Sequence, residues 1–251
     1  MRWPIVGGAL ALIVVAVALY AVRHRVMTVL PDPVAPKRDI ARIRTEQTAR
    51  LTKSLADIGV AFGTPLYLRI FKEEGAFEVF VKHNDTYRLF RRYPICTFSG
   101  ALGPKLKEGD HQSPEGFYTV DLAALNPNSR FHLSFNLGFP NAYDRGHDRT
   151  GSFLMVHGGC VSVGCYAMTD PMIEEIYVLV EAALRAGQPS VPVHAFPFRM
   201  TDARMALAGA DSWFSFWSEL RAAYTIFETT RLPAVITVND GHYRATPPMT
   251  N

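Results

Sequence analysis

One short stretch of the chain holds residue types that could perform nucleophilic chemistry. It begins at Ser152 as the apolar run of a buried strand and continues into a glycine-rich loop with His157, Cys160 and Cys165. An imidazole can take the proton of a thiol, and the thiolate that results is a nucleophile. The glycines let the backbone approach a substrate closely and present N–H groups to it. The stretch therefore predicts a cysteine acyl-transfer site.

The same stretch resembles the bacterial L,D-transpeptidase catalytic-domain family, whose members act on peptidoglycan stem peptides. The family motif is a strand ending in His-Gly, a loop, and then Ser/Thr-His-Gly-Cys. His157-Gly158 corresponds to the first part and Ser162-Val163-Gly164-Cys165 to the second. The loop is shorter than is usual in the family, and Val163 stands in place of a histidine. A second segment, Ser113-Pro114-Glu115-Gly116, matches the family pattern Thr/Ser-Pro-x-Gly.

The resemblance implies a role for each residue of the motif and requires no cofactor. Cys165 would be the nucleophile and His157 the proton donor and acceptor. The N–H groups of Gly164 and Cys165 would form the oxyanion hole. Ser162 and Gly158 would support the loop. The implied reaction forms a thioester, which an amine resolves in cross-linking or protein attachment; hydrolysis, which would release a peptide or a wall-attached lipoprotein, is the alternative.

The loop 138–150 supplies the candidate substrate-binding residues. Arg145 and Arg149 could clamp the carboxylates of a diaminopimelate-containing stem peptide, since guanidinium groups bind carboxylates bidentately. Tyr143 lies in the same loop, and His111, beside the Ser-Pro segment, is expected to line the cleft. The loop is also long enough to fold over the cleft as a lid. Plain surface charge is the competing interpretation of the arginines.

Two hypotheses from other classes use some of the same residues. His147, His157, Cys160 and Cys165 are zinc-ligand types, although no Cys-x-x-Cys pair is present. A non-catalytic wall-binding domain is the other alternative. Cys160 itself could be a second thiol or a disulfide partner, and Cys96 is expected to be a core residue on a strand.

Charge and hydropathy point to the cell envelope. The net charge is +3, with no sign of a nucleic-acid surface. Residues 5–22 carry no charge and are expected to be a signal anchor, with a cleaved signal peptide as the alternative. The resemblance then implies a location on the periplasmic face of the inner membrane or secretion to the periplasm.

The periodicity of the sequence predicts an α+β fold with a β-rich catalytic domain, an antiparallel meander or sandwich, and flanking helices. The predicted segments are 1–25 for the signal anchor or peptide, 26–62 for a proline-containing stalk and amphipathic helix, 63–198 for the catalytic domain, and 199–251 for a helical extension. Strands are expected at 66–71, 77–81, 87–93, 95–98, 131–137 and 191–198. Helices are expected at about 40–58, 170–186 and 212–229.

Overall fold

A computed structural model describes residues 39–249 of the chain. The helices of this part are α1 (Ile40–Ala56), α2 (Ala142–Gly146), α3 (Asp170–Arg185), α4 (Asp202–Leu207) and α5 (Phe214–Thr230). The strands are β1 (Leu66–Phe71), β2 (Ala76–His83), β3 (Thr86–Pro94), β4 (Thr97–Phe98), β5 (Gly116–Val120), β6 (Leu125–Asn126), β7 (Ser134–Asn136), β8 (Met155–His157), β9 (Tyr166–Ala167), β10 (Val191–Phe196), β11 (Val235–Asn239) and β12 (His242–Thr246).

The first sheet has the order β3-β2-β1-β10-β5 and is covered on both faces. Only the central pair, β1 and β10, is parallel. Every residue of β1 is buried. Because successive side chains of a strand point to opposite faces, this continuous burial requires two apolar layers. Leu68 packs into one hydrophobic cluster with the second sheet and α3, whereas Phe71 packs into another with α5.

The second sheet has the order β4-β9-β8-β7-β6 and shares the first of these clusters. Its strands are two or three residues long. Val156 of β8 and Tyr166 of β9 are fully buried and hold this sheet against the larger one. The pair β8–β9 is parallel, and the other pairs are antiparallel.

Helices at both ends of the described chain complete the domain. The α1 helix packs on α3, and Arg44 of α1 forms a salt bridge of 2.6 Å with Glu181 of α3. The α5 helix buries an aromatic face that includes Phe216, Trp217 and Phe227. These are core residues, as their spacing predicts.

The α+β class, the antiparallel-rich sheets and the flanking helices are confirmed. Several predicted strands are shorter than expected: the one at 95–98 is reduced to β4, and the one at 131–137 to β7. Residues 199–249 are not only helical, since β11 and β12 form a hairpin there. Residues 5–22 lie outside the described residues, and within 39–249 no helix is long and apolar enough to span a membrane.

Candidate active site

The parallel pairing of β8 with β9 brings His157 and Cys165 together. His157 pairs with Ala167, and Cys165 lies two residues before Ala167. Cys165 lies in the bend just before β9, and its Sγ accepts from the N–H of Met155 in β8 at 3.4 Å, so the thiol lies beside the strand that ends in His157. The chain returns to form this parallel pair within residues 158–165, far fewer than the dozen or more that usually connect parallel strands. Positive φ angles at Gly159 and Gly164 make so tight a path possible.

Hydrogen bonding fixes the tautomer of His157. Its Nδ1 lies 2.6 Å from the carbonyl oxygen of Gly158, which can only accept, so Nδ1 carries the proton. Nε2 is then unprotonated and can act as a base. The side chain is buried and contacts the ring of Phe131 at 4.8 Å between centroids. Burial lowers the pKa of His157, although the Gly158 carbonyl opposes the effect, so the imidazole is neutral at pH 7.

The position of Gly158 has no space for a side chain. A Cβ atom on it would lie 2.6 Å from Oδ1 of Asp170 and 2.9 Å from Cβ of His132. Its N–H donates to the carbonyl of Leu133 at 3.1 Å. A glycine is therefore needed where the base-bearing strand passes the start of α3.

The sulfur of Cys165 lies among backbone groups. The Met155 N–H donates to Sγ at 3.4 Å, and Sγ donates to the Phe153 carbonyl at 3.7 Å. Burial raises the pKa of the Cys165 thiol, while the Met155 N–H and the positive charge of Lys105 act in the opposite direction. Since the thiol pKa is raised and that of His157 is lowered, both groups are neutral at pH 7.

Serine hydroxyls hold the loop that carries Cys165. The Ser162 hydroxyl accepts from the Cys165 N–H at 3.1 Å and donates to the Cys165 carbonyl at 2.8 Å. The Ser99 hydroxyl accepts from the Gly164 N–H at 2.8 Å and contacts the Ser162 hydroxyl at 2.8 Å. Both N–H groups expected to form an oxyanion hole are thus bonded to serine oxygens. In this state the two groups support the loop, and their role as an oxyanion hole stays a prediction.

The Ser-Pro-x-Gly segment packs directly behind the cysteine. The Ser113 hydroxyl donates to the Cys165 carbonyl at 2.7 Å, and the Tyr166 hydroxyl donates to the Pro114 carbonyl at 2.7 Å. Glu115 is fully buried, forms a 3.1 Å salt bridge with Lys72 and accepts from the indole of Trp217 at 2.8 Å. The segment therefore links the nucleophile loop to α5.

Cys96 and Cys160 form a disulfide, with their Cα atoms 5.3 Å apart. Cys96 lies in the bend between β3 and β4, so its prediction as a plain core residue on a strand is wrong. The bond attaches the 158–165 loop to the start of β4 and leaves Cys165 as the free thiol. A bonded Cys160 is not a zinc ligand, and across residues 39–249 no three His, Cys, Asp or Glu side chains converge on a possible metal position.

The expected substrate residues of the 138–150 loop are mostly used for packing. Arg149 is buried and forms a 2.8 Å salt bridge with Asp144. Tyr143 is buried and stacks on Tyr243 with centroids 4.1 Å apart. Arg145 is exposed and donates to the backbone carbonyl of Pro140. The prediction that Arg149 and Tyr143 bind substrate is corrected, and the loop is not a free lid because its helix α2 is attached to β12 and α5.

His111 and Val163 stay at the surface near the nucleophile loop. His111 is exposed, and its neighbour Gln112 has its carbonyl oxygen 3.7 Å from the Cβ position of Gly164. Val163, at the position of the family histidine, is 74% exposed. A groove of about 440 Å³ is lined by Phe153 and Met155, together with residues that include Asn126 and Asn136, but not by Cys165 itself. The backbone groups of Phe153 and Met155 bond to Sγ and connect the groove to the cysteine.

Three residues near Cys165 were not anticipated. Ser99 and Ser113 bond to the loop, and Lys105 is close enough for its charge to affect the thiol. Ser113 belongs to the Ser-Pro-x-Gly segment, which could have indicated its role. Ser99 and Lys105 belong to no motif of the sequence.

Comparisons with known proteins identify related sequences and folds. The family described as YkuD, L,D-transpeptidase catalytic domain, matches residues 67–194. The "Putative L,D-transpeptidase YafK" of Escherichia coli (strain K12) is 48% identical over 189 residues, covering 75% of this chain and 77% of that protein. The helical cell shape determining protein Pgp2 from Campylobacter jejuni superposes with a TM-score of 0.43 and 18% identity, over 75% of this chain and 80% of the other. L,D-transpeptidase 1 of Mycobacterium tuberculosis gives a TM-score of 0.29 at 15% identity, over 52% and 61%.

The expected L,D-transpeptidase function is confirmed by the two sequence matches. By these matches, the chain belongs to the L,D-transpeptidase catalytic domain family, whose enzymes act on peptidoglycan stem peptides.

Proposed function

We propose that this L,D-transpeptidase works through a thioester on Cys165, with His157 as the base and acid. The observation that carries the proposal is the β8–β9 pairing with the 3.4 Å contact between the Met155 N–H and Sγ, which together place the thiol beside the strand that ends in His157. The fixed Nδ1–H tautomer supports it, because Nε2 is left free to accept a proton. The remaining cysteines are bonded to each other and so are not nucleophiles.

The reaction begins when Nε2 of His157 takes the proton of the Cys165 thiol. The thiolate then attacks the carbonyl carbon of the L-centre of a diaminopimelate residue that precedes a D-amino acid. The C–S bond forms, the C–N bond breaks, and His157 returns its proton to the departing amine. The groove beside Phe153 and Met155 would hold the peptide, with Asn126 and Asn136 as hydrogen-bonding groups in its wall. Arg145 and His111, both exposed, stay candidates for contact with the stem-peptide carboxylates.

The thioester can be trapped directly. Protein incubated with a disaccharide tetrapeptide should gain the mass of the acyl donor without its terminal D-amino acid. The Cys165→Ala variant should show no adduct and no turnover, and His157→Ala should acylate at least about a hundredfold more slowly. His147→Ala is the matched control, because this exposed histidine stacks on Tyr143 and should leave turnover intact. Full turnover by Cys165→Ala would overturn the proposal.

Hydrolysis of the thioester is the second candidate outcome. The 138–150 loop is attached to the C-terminal part of the chain, so it does not cover Cys165 as a lid. Because a well-covered site protects an intermediate from water, this attachment favours hydrolysis. Tetrapeptide donor should be supplied with and without an excess of diaminopimelate-containing acceptor. Cross-linked dimers that increase with acceptor indicate transfer. Shortened peptide alone, or release of a wall-linked lipoprotein, would indicate hydrolysis.

The cell envelope is the proposed location, with residues 5–22 as the tether. The Cys96–Cys160 disulfide supports this, since such bonds persist in oxidising compartments. A reporter that fluoresces only in the cytoplasm, fused after Asn251, should stay dark. Bright fluorescence from the membrane fraction would contradict the proposed orientation.

A further inference from the structure

A second pocket, of about 550 Å³, lies on the face of the first sheet opposite to the second sheet. It is open to solvent between the β2–β3 hairpin and the C-terminal end of α5. Five arginines contribute to its lining, but neither His157 nor Cys165 does so. The arginines are Arg69, Arg88, Arg92, Arg199 and Arg231.

The pocket carries more positive than negative charge. Two carboxylates, Glu78 and Glu228, face the guanidinium groups of Arg69, Arg92, Arg199 and Arg231, so these side chains have a net charge of +2. Glu78 is 1% exposed and accepts from Arg92 at 2.9 Å and from Arg199 at 2.6 Å through one oxygen.

One arginine is held rigidly at the base of the pocket. Arg69 is 3% exposed and bonds to Glu78 at 2.9 Å and to Glu228 at 2.6 Å. Its guanidinium lies 4.7 Å from the ring centroids of both Phe80 and Phe227. Because Arg69 is fixed by these contacts, little conformational entropy would be lost when a ligand binds above it.

The more exposed arginines of the pocket have N–H donors that are not used in hydrogen bonds. Arg92 is 54% exposed and Arg231 50% exposed, and each pairs with a carboxylate that other arginines share. The Arg88 guanidinium donates to the Ile58 carbonyl at 3.2 Å, on the α1 side of the sheet, which leaves Arg92 and Arg231 as the exposed arginines of the pocket. A guanidinium group has five N–H donors, so these side chains can bind a further acceptor.

From this charge excess in an open, preorganised pocket, we propose that the pocket binds a phosphate group. A phosphate ester brings up to two negative charges and oxygens that several guanidinium groups can share, whereas a carboxylate brings one charge. The source could be a soluble phosphate ester or the headgroup of an anionic lipid. The site is separate from the thiol chemistry of Cys165.

Binding is tested on the full chain in detergent, by thermal shift at constant ionic strength. The probes are pyrophosphate, water-soluble dihexanoyl phosphatidylglycerol and citrate. Pyrophosphate should raise the melting temperature in a saturable way in the parent protein. The shift should need about tenfold more ligand in Arg92→Gln and in Arg231→Gln. Arg42→Gln has the same change in charge but lies on α1 outside the pocket, and it should respond like the parent.

The relative affinities of the three probes distinguish a lipid headgroup from a soluble phosphate ester. Tighter binding of phosphatidylglycerol than of pyrophosphate would identify a lipid headgroup, and the reverse order a soluble ester. Tighter binding of citrate than of either phosphate compound would overturn the assignment of phosphate. The absence of saturable binding would also overturn the proposal. An equal loss of pyrophosphate affinity in Arg42→Gln would overturn it as well. Transpeptidase turnover on soluble muropeptides should stay unchanged in both pocket variants, so that failure here is distinct from failure of the thioester proposal.

Discussion

The hydroxyl of Ser113 donates a 2.7 Å hydrogen bond to the backbone carbonyl of Cys165, across 52 residues of sequence. Ser113 is fully buried, and its oxygen also accepts from the Ser99 N–H at 3.0 Å. One side chain thus links the end of β4 to the residue that carries the thiol. The Ser-Pro-x-Gly segment therefore acts on the site by positioning the nucleophile.

Loss of the Ser113 hydroxyl should slow acylation. In Ser113→Ala the Cys165 carbonyl keeps its bond to Ser162, while the partly buried Ser99 N–H loses its partner. Such a loss costs about 1–3 kcal/mol of stability. We expect acylation by a tetrapeptide donor, followed by intact mass, to be about tenfold slower, because the thiol is no longer held in place.

The conservative variant supplies the control. Ser113→Thr keeps the hydroxyl and should recover most of the rate. A double-mutant cycle with Ser162→Ala should show coupling, since both hydroxyls bond to the same carbonyl. Strictly additive effects of the two substitutions would contradict a shared positioning role.

Removal of the disulfide should destabilise the protein but spare its chemistry. The bond closes a loop of 64 residues, which predicts a loss of about 4 kcal/mol in the free energy of unfolding. We expect Cys160→Ser, and the double variant with Cys96→Ser, to unfold at lower urea concentration. Both should keep much of the turnover at low temperature because Cys165 is unchanged.

The parent protein under a reducing agent provides a second comparison. Its loss of stability should match that of the double variant, and the double variant itself should not respond to reduction. A parent protein whose unfolding is insensitive to complete reduction would argue against a stabilising bond. Inactivity of Cys160→Ser while folded would show that the bond shapes the site itself.

Local patterns in the sequence predict much of the framework. Helix α3 follows from apolar residues at helical spacing after Asp170-Pro171, and β1 from its continuous apolar run. The β11–β12 hairpin was missed although its turn carries a signal. Asp240 and Gly241 both have positive φ angles, as an Asp-Gly hairpin turn requires.

The sequence motif marks Cys165 and His157 as the proposed nucleophile and base, but it does not predict their surroundings. Parallel pairing of β8 and β9 across so short a connection is unusual, so local patterns do not predict it. The partners of Cys160 and Ser162 come from distant segments, Cys96 and Ser99. Long-range pairings of this kind depend on the whole topology. Arg149, for the same reason, looked like a free charge although it pairs with the buried Asp144.

A buried histidine should make the stability depend on pH. Burial, with the charge of Arg69, lowers the pKa of His194 from 6.5 to about 3, and its Nδ1 lies 2.9 Å from the Tyr67 hydroxyl. Above pH 6.5 the imidazole is neutral in both folded and unfolded chains. Below it the unfolded chain binds a proton that the folded chain does not, so stability falls as the pH falls towards 3.

Urea unfolding at several pH values between 7.5 and 5 measures this dependence. The slope from one such group approaches about 1.4 kcal/mol per pH unit below pH 6. The His194→Gln variant removes the titrating group and should have a shallower slope, whatever its absolute stability. Parallel slopes for the two proteins would show that His194 takes up a proton in the folded state.

The protonation states of Cys165 and His157 should be visible in the reactivity of the free enzyme. Burial raises the pKa of Cys165 above its ordinary 9.0 and lowers that of His157 below 6.5, so the resting pair is a neutral thiol and a neutral imidazole. The alkylation rate of Cys165 by iodoacetamide should therefore rise with pH to a midpoint above 9. Turnover with a tetrapeptide donor should instead fall only below pH 6.5, where the imidazole is protonated and can no longer accept the thiol proton.

The His157→Gln variant separates these two effects. It should keep the alkylation midpoint close to that of the parent, because His157 does not hold a thiolate in the resting enzyme, and it should lose turnover at every pH. Fast alkylation of the parent that is already constant below pH 7, and is abolished in His157→Gln, would mean that the resting pair is a thiolate and an imidazolium. The Cys165→Ala protein, which keeps the Cys96–Cys160 disulfide, should take up no label and sets the background of the assay.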